Sequence, residues 1–318
     1  MSSFRVETDD KQGVDCLIDE TSGSRAMVNR LGCELIGYRI TDPQSGKEIP
    51  LMYRDSVVEP PEHGWKNRAT VLFPIVGGLK DKRSMLGDRV ISTRGNHGFA
   101  RHSTFELVRT DTVECALAGY RLLPNQEIRG YYPLDFSLEL EFSLKGSGLS
   151  VAFTVTNPGQ EPIYYCLGWH PGFAAPVFPG LGEKSGCRLV LPRGTARKYH
   201  NNEHCRLTGE TSPVETGGPL PWTEEELEAT LMFGIEDPKM RRVDFQDPAS
   251  GVSVRVDFPD FPHLGFWSEP GYGFICIEPW QGMDDHEEQE PFDRKVGVVR
   301  LEPGGRDRRT IRLTPSVG

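Results

Sequence analysis

Three short segments of this 318-residue chain set ionisable side chains in rigid, mostly apolar surroundings. They are residues 96–101, 168–173 and 275–280, the last followed by a polar run to 285. Together they hold His97, His170 and Glu278. Imidazole and carboxylate are the side chains best suited to passing protons, so the set offers general acid/base chemistry. Pro171 and Pro279 bias the residues before them, His170 and Glu278, toward extended backbone. Gly98 permits close approach of chain or ligand. Trp169 and Trp280 could offer apolar faces to a ring. Each residue also has a plainer reading: a buried His is often a hydrogen-bonded structural group, and a Glu in an apolar strand often pairs with a buried Arg. Two His and one Glu could ligate zinc. They lie far apart in the chain without a local His-x-x-x-His spacing, so no metal is expected.

The elements that must position these groups read as strands. Phe136, Leu138, Leu140, Phe142 and Leu144 alternate with polar residues, a turn follows at 145–148, and Val151, Phe153 and Val155 resume the pattern. This predicts an antiparallel hairpin with one face buried. Val252, Val254, Val256 and Phe258 repeat the alternation. Further strands are expected at 34–41, 113–122, 163–169, 187–191, 273–279 and 309–314. No regular helical alternation separates them, which argues for an all-β, large antiparallel sandwich forming one domain over residues 1–318. Thr223 and Glu226 complete a capping-box pattern ahead of Leu227, predicting one short helix. Residues 201–221 are polar and rich in Gly and Pro, and read as a long loop.

Composition narrows the partners. The formal net charge of −10 repels phosphate backbones and anionic membranes, so neither nucleic acid nor a membrane surface is expected. Seven scattered cysteines without a Cys-x-x-Cys pair fit neither a disulfide framework nor a zinc ribbon. The first ten residues contain no apolar h-region, and no run approaches the ~20 apolar residues of a spanning helix. A reduced, cytoplasmic setting is the expectation.

Taken together, the three segments resemble the aldose 1-epimerase (galactose mutarotase) family, and its shorter LacX-like branch in particular. The resemblance rests on His97-Gly98-Phe99-Ala100-Arg101, on Gly168-Trp169-His170-Pro171-Gly172-Phe173, and on Ile277-Glu278-Pro279-Trp280 with Gly282 and Asp284. Trp65-Lys66 and Leu72-Phe73-Pro74-Ile75-Val76-Gly77 add to it, and it spans roughly residues 10 to 315. It implies a galactose mutarotase-like β-sandwich that binds sugar on a concave sheet face. It assigns Glu278 as general base, His170 as general acid and His97 as a sugar-holding residue. Arg68 lies near the family's substrate-contacting arginine, Arg101 and Trp280 join the substrate-binding set, and Asp284 or Asp285 matches an acidic position of unassigned role. Two departures stand out: Trp169 replaces a small residue before His-Pro, which would narrow the pocket, and Gly78 replaces an Arg.

Mutarotation opens a hemiacetal ring and closes it on the other face. It needs one base and one acid on opposite sides of the C1–O5 bond, and no cofactor. A carboxylate near His170 would raise its imidazolium fraction. Two alternatives stay open. A hexose 6-phosphate could be the substrate, since Lys80, Lys82, Arg83, Arg89, Arg94 and Arg101 crowd one stretch of an acidic chain. A non-catalytic carbohydrate-binding protein of the same fold could instead rely on Trp169, Trp267 and Trp280. The expected partner is a small-molecule sugar, and the sequence leaves the oligomeric state open.

Overall fold

Two large antiparallel sheets dominate the computed structural model, which describes residues 3–318. In the eight-stranded sheet the order is Arg188–Val190, Arg242–Asp247, Val252–Asp257, Arg306–Val317, Gly148–Thr156, Ser137–Lys145, Ala116–Leu122 and Glu106–Asp111. In the seven-stranded sheet it is Leu207–Thr216, Gly194–Asn201, Leu231–Gly234, His263–Trp267, Phe274–Gln281, Leu167–Ala174 and Ala69–Leu72. A five-stranded meander covers residues 4–50, and two two-stranded ribbons complete the pattern.

The alternation read from the sequence builds the central hairpin. Ser137–Lys145 pairs with Gly148–Thr156 in continuous register, closing at Lys145 opposite Gly148. Phe136, Leu138, Leu140, Phe142, Val151, Phe153 and Val155 are all fully buried. The seven-stranded sheet packs one face against this layer: Trp169 meets Phe153, and Phe173 meets Phe245. Because side chains alternate along a strand, residues 167, 169, 171 and 173 take the core side while 168, 170 and 172 take the opposite face. That opposite face carries His170.

The expected helix forms at Glu224–Glu228, with Thr223 and Glu226 exchanging both capping hydrogen bonds. A second helix, Gln126–Tyr131, was not anticipated; Asn125 caps it by accepting from the Ile128 N–H at 2.9 Å. The region expected to be a loop, 201–221, contains the ten-residue strand Leu207–Thr216, paired with Gly194–Asn201. It is an edge strand exposed along nearly its whole length, so it needs no apolar alternation. Its signal in the sequence is therefore that of a loop. No described helix is long and apolar enough to cross a membrane.

Candidate functional site

Register brings the two proton-handling groups together. Across the strands Leu167–Ala174 and Phe274–Gln281, Gly168 faces Trp280 and Gly172 faces Cys276. His170 lies midway between the first pair and the second, and so does Glu278, which places them opposite one another. The backbone ladder is interrupted between these pairs. Pro171 and Pro279, having no N–H, can give nothing to it there. His170 Nε2 approaches Glu278 Oε2 to 3.2 Å, with both side chains buried. Yet both Glu278 oxygens and His170 Nδ1 have no hydrogen-bond partner in the protein. Buried polar atoms are rarely left so, and both residues line a cleft.

The cleft measures about 290 Å³. His97, Arg101, His170, Glu278, Trp280 and Asp284 all line it, as do Trp65, Asn96 and Trp267. The end of the strand Gly194–Asn201, the turn after it and the end of the helix Glu224–Glu228 add Asn201, Cys205, Glu228 and Thr230 to the lining. The sequence reading did not find these four, because they sit in a polar stretch with no chemical pattern.

His97 enters from a tight turn in which His97 and Gly98 both take left-handed backbone, φ 70° and 71°. Its own N–H donates to the Gly77 carbonyl at 2.8 Å, and the Gly77 N–H donates to His97 Nδ1 at 3.1 Å. Nδ1 is thus an acceptor, which fixes the neutral tautomer with hydrogen on Nε2. Burial, with His170 and Arg101 nearby, holds the His97 pKa well below the usual value. A neutral Nε2–H donor suits holding a hydroxyl. Arg101 follows in the same segment, its guanidinium donating to Asn67 Oδ1 at 2.7 Å while Nε stays unpartnered. Trp280 lies flat in the floor, where a Cβ on Gly265 would come within 2.8 Å of its ring.

Electrostatics depart from expectation at His170. Burial, followed by the nearby Arg101 guanidinium, pushes its pKa down to about 3 rather than up. Burial also drives the Glu278 carboxyl well above the usual carboxylate range, with Trp280 and Arg101 opposing and Asp284 adding to the rise. Desolvation is the leading cause of both shifts because both side chains are buried. Between these two limits the pair holds one proton, a property of the dyad rather than of either residue.

Other expected residues sort differently. Arg68 does not line the cleft. Its guanidinium is buried against Glu34, 3.6 Å away, and the Val57 carbonyl. Trp169 does not narrow the cleft: it faces the core and donates to the Ala69 carbonyl at 3.1 Å. Asp284 reaches the cleft and accepts from the Gly78 N–H at 2.7 Å, whereas Asp285 turns away to Lys295. Of the six clustered cations, Arg101 alone lines the cleft among the described residues. Arg89 pairs with Glu161, Arg94 with Glu127 and Tyr131, Lys80 donates to the Glu287 carbonyl, and Lys82 and Arg83 are exposed.

One grouping could offer donors to a metal: atoms of His170, Cys276 and Glu278 lie within 4.8 Å of one another. Burial raises both the Cys276 thiol and the Glu278 carboxyl pKa. That works against ligation, which needs deprotonated donors.

The family model described as Aldose 1-epimerase matches residues 15–190, more than half of the chain. The chain belongs to the aldose 1-epimerase family. Two curated relatives, the chromosomal and plasmid LacX proteins of Lactococcus lactis subsp. lactis, are 28% and 27% identical over 272 residues. Each alignment covers 80% of this chain and 87% of the relative. Among solved structures, a galactose mutarotase related enzyme from Lactobacillus acidophilus superposes with a TM-score of 0.81 at 22% identity, covering 98% of this chain and 97% of that one. A galactose mutarotase-like protein from Lactobacillus casei gives 0.78 at 21% identity, covering 98% and 100%. A galactose 1-epimerase from Lactobacillus acidophilus gives 0.70 at 11% identity, covering both chains fully. At these identities the structural likeness establishes the galactose mutarotase-like β-sandwich fold and nothing narrower.

Proposed function

We propose that this protein is a mutarotase that interconverts the α and β anomers of a hexose, with Glu278 as base, His170 as acid and His97 holding the sugar. The observation that carries this reading is the buried His170–Glu278 contact of 3.2 Å, with both carboxylate oxygens unpartnered and both residues lining a cleft of monosaccharide scale. The anomeric hydroxyl and the ring oxygen are both bonded to C1. Groups on neighbouring strands can therefore reach both from one face of the sugar.

In the forward step Glu278 takes the O1 proton, C1=O1 forms, C1–O5 breaks, and O5 takes a proton from His170. Rotation about C1–C2 presents the other carbonyl face, and the same transfers run backward. Electrons and protons balance without a cofactor. The one-proton dyad supplies the required inventory, and a bound sugar hydroxyl donating to the Glu278 carboxylate favours the arrangement with Glu278 ionised and His170 protonated. Trp280 and Trp267 supply apolar faces, and Asp284 and Asn96 supply polar atoms toward the sugar's remaining hydroxyls.

A neutral hexose is favoured over a hexose phosphate, because the clustered cations disperse onto acidic partners or solvent. The test is anomer exchange, followed by NMR exchange spectroscopy with glucose, galactose and glucose 6-phosphate in one buffer. Glu278→Gln and His170→Asn should each lose most of the exchange activity while staying folded. Full activity in either variant removes the role assigned to that residue. Sugar binding with no acceleration in the wild-type protein would instead favour a carbohydrate-binding role.

A further inference from the structure

We infer that Trp65 is a positioning residue for His170, held over the imidazole by a strap formed by residues 51–68. This rests on the reading of His170 as the acid, and the experiment below separates the two.

The strap runs from the end of Glu48–Pro50 to Ala69–Leu72 without regular structure. Both its ends are tied to one residue of the catalytic strand. The Tyr53 N–H donates to the Gly172 carbonyl at 3.0 Å, and the Gly172 N–H donates to the Arg68 carbonyl at 2.6 Å. Arg68 anchors the strap further through Glu34 and the Val57 carbonyl, which accounts for its burial away from the cleft. Between these anchors Trp65 lies over Gly172, where a Cβ would stand 2.5 Å from its ring. Glycine is required there because the indole occupies the space a side chain would fill.

From this seat Trp65 contacts His170 directly, ring centroids 5.0 Å apart and tilted by 33°. Trp267 packs next to it, edge-on to both His170 at 5.6 Å and Trp65 at 5.6 Å. Phe274 backs the indole at 5.1 Å. Two indoles and the His97 ring thus pack around the imidazole, which meets Glu278 and lines the cleft. The charged or titratable groups facing it are Glu278 and Cys276 from its neighbouring strand, and His97 and Arg101 from the 96–101 segment. Glu278, His97 and Arg101 sit on segments other than the strap, so a change at His170 on removing Trp65 reports on the indole. Two effects oppose each other there: the indole face attracts imidazolium, and its bulk excludes water. Burial is the leading cause of the low His170 pKa, and removing an indole packed on the ring lessens that burial.

Two measurements on the full-length protein test this. The His170 ring is followed by NMR titration, and anomer exchange is followed across pH. Trp65→Ala is expected to raise the His170 midpoint by at least about one pH unit toward its ordinary value of about 6.5. It should lower kcat by about tenfold or more, with a smaller change in KM. Trp65→Phe should largely restore both. Gly172→Ala, which leaves the indole intact but displaces it, should move the midpoint in the same direction as Trp65→Ala. An unmoved His170 midpoint in folded Trp65→Ala overturns the inference, as does a Trp65→Phe variant no better than Trp65→Ala. A moved midpoint with unchanged exchange supports the positioning role and removes His170 as the acid.

Discussion

Two buried polar clusters lie near each other in this protein and are built on opposite terms. In the first, Asp285 and Lys295 meet at 2.7 Å with side chains 4% and 2% exposed. Asp285 also accepts from the Lys80 N–H at 2.8 Å and from Gln289 Nε2 at 2.7 Å. In the second, His170 and Glu278 approach to 3.2 Å, and His170 Nδ1 and both Glu278 oxygens remain without hydrogen-bond partners. A saturated cluster locks the chain around it. An unsaturated one holds donors and acceptors in reserve for something that enters the cleft. The contrast separates structure from chemistry more sharply than residue type does, since each cluster contains one acid and one base.

Breaking the unsaturated cluster should cost activity and spare stability. Glu278→Gln is expected to slow anomer exchange by about 10²- to 10⁴-fold, the usual value of a positioned proton-transfer group. The melting temperature should hold or rise, because the variant removes a carboxyl that burial already disfavours in its charged form. A large fall in melting temperature would place Glu278 with the structural cluster. Breaking the saturated cluster should do the reverse. Asp285→Ala strands Lys295 in the interior, and the expected loss is about 3–5 kcal/mol by urea denaturation. A near-neutral result would show that Lys295 finds water or another acceptor.

Titration sharpens the same contrast. The Glu278 pKa is raised in the fold, so its neutral form contributes stability below the unfolded value near 4.5 and loses it as pH rises toward the folded value. His170 is lowered to about 3, so its contribution is present above the unfolded value near 6.5 and is lost as pH falls toward 3. The melting temperature of Glu278→Gln minus that of the wild type should therefore be larger at pH 8 than at pH 5. Anomer exchange should keep its acid limb well below 6.5. An acid limb at the ordinary histidine value would mean that His170 is solvated in the working enzyme.

The sequence showed the paired His170 and Glu278 more clearly than it showed their neighbours. His170 and Glu278 stood out because each precedes a proline in an apolar strand, and that local rule survives folding. Their meeting depended on cross-strand register, which no local pattern encodes. Asp284 and Asp285 are adjacent acids in one polar run, yet one reaches the cleft and the other a buried lysine. Leu207–Thr216 read as a loop because an exposed edge strand carries no burial pattern. The cations at 80–101 looked like a cluster only while their partners, Glu161 and Glu127 among them, were distant in sequence.

Trp169 offers the smallest and most local test. It precedes His170, and along an extended strand adjacent side chains face opposite ways. His170 turns to the cleft, so Trp169 must turn to the core, where it is fully buried against Phe153 and donates to Ala69. Trp169→Phe keeps an aromatic ring in that layer and loses one hydrogen bond to a buried carbonyl. The expected cost is about 1–3 kcal/mol in stability, with sugar affinity and exchange rate within about twofold of the wild type. Trp280→Phe changes the ring that lines the cleft and also packs with Leu72, Val76 and Met283, so it should weaken sugar binding at some cost in stability. If Trp169→Phe altered the KM of one hexose more than another, the sheet's two faces would be coupled, and the division between packing and chemistry drawn along this strand would fail.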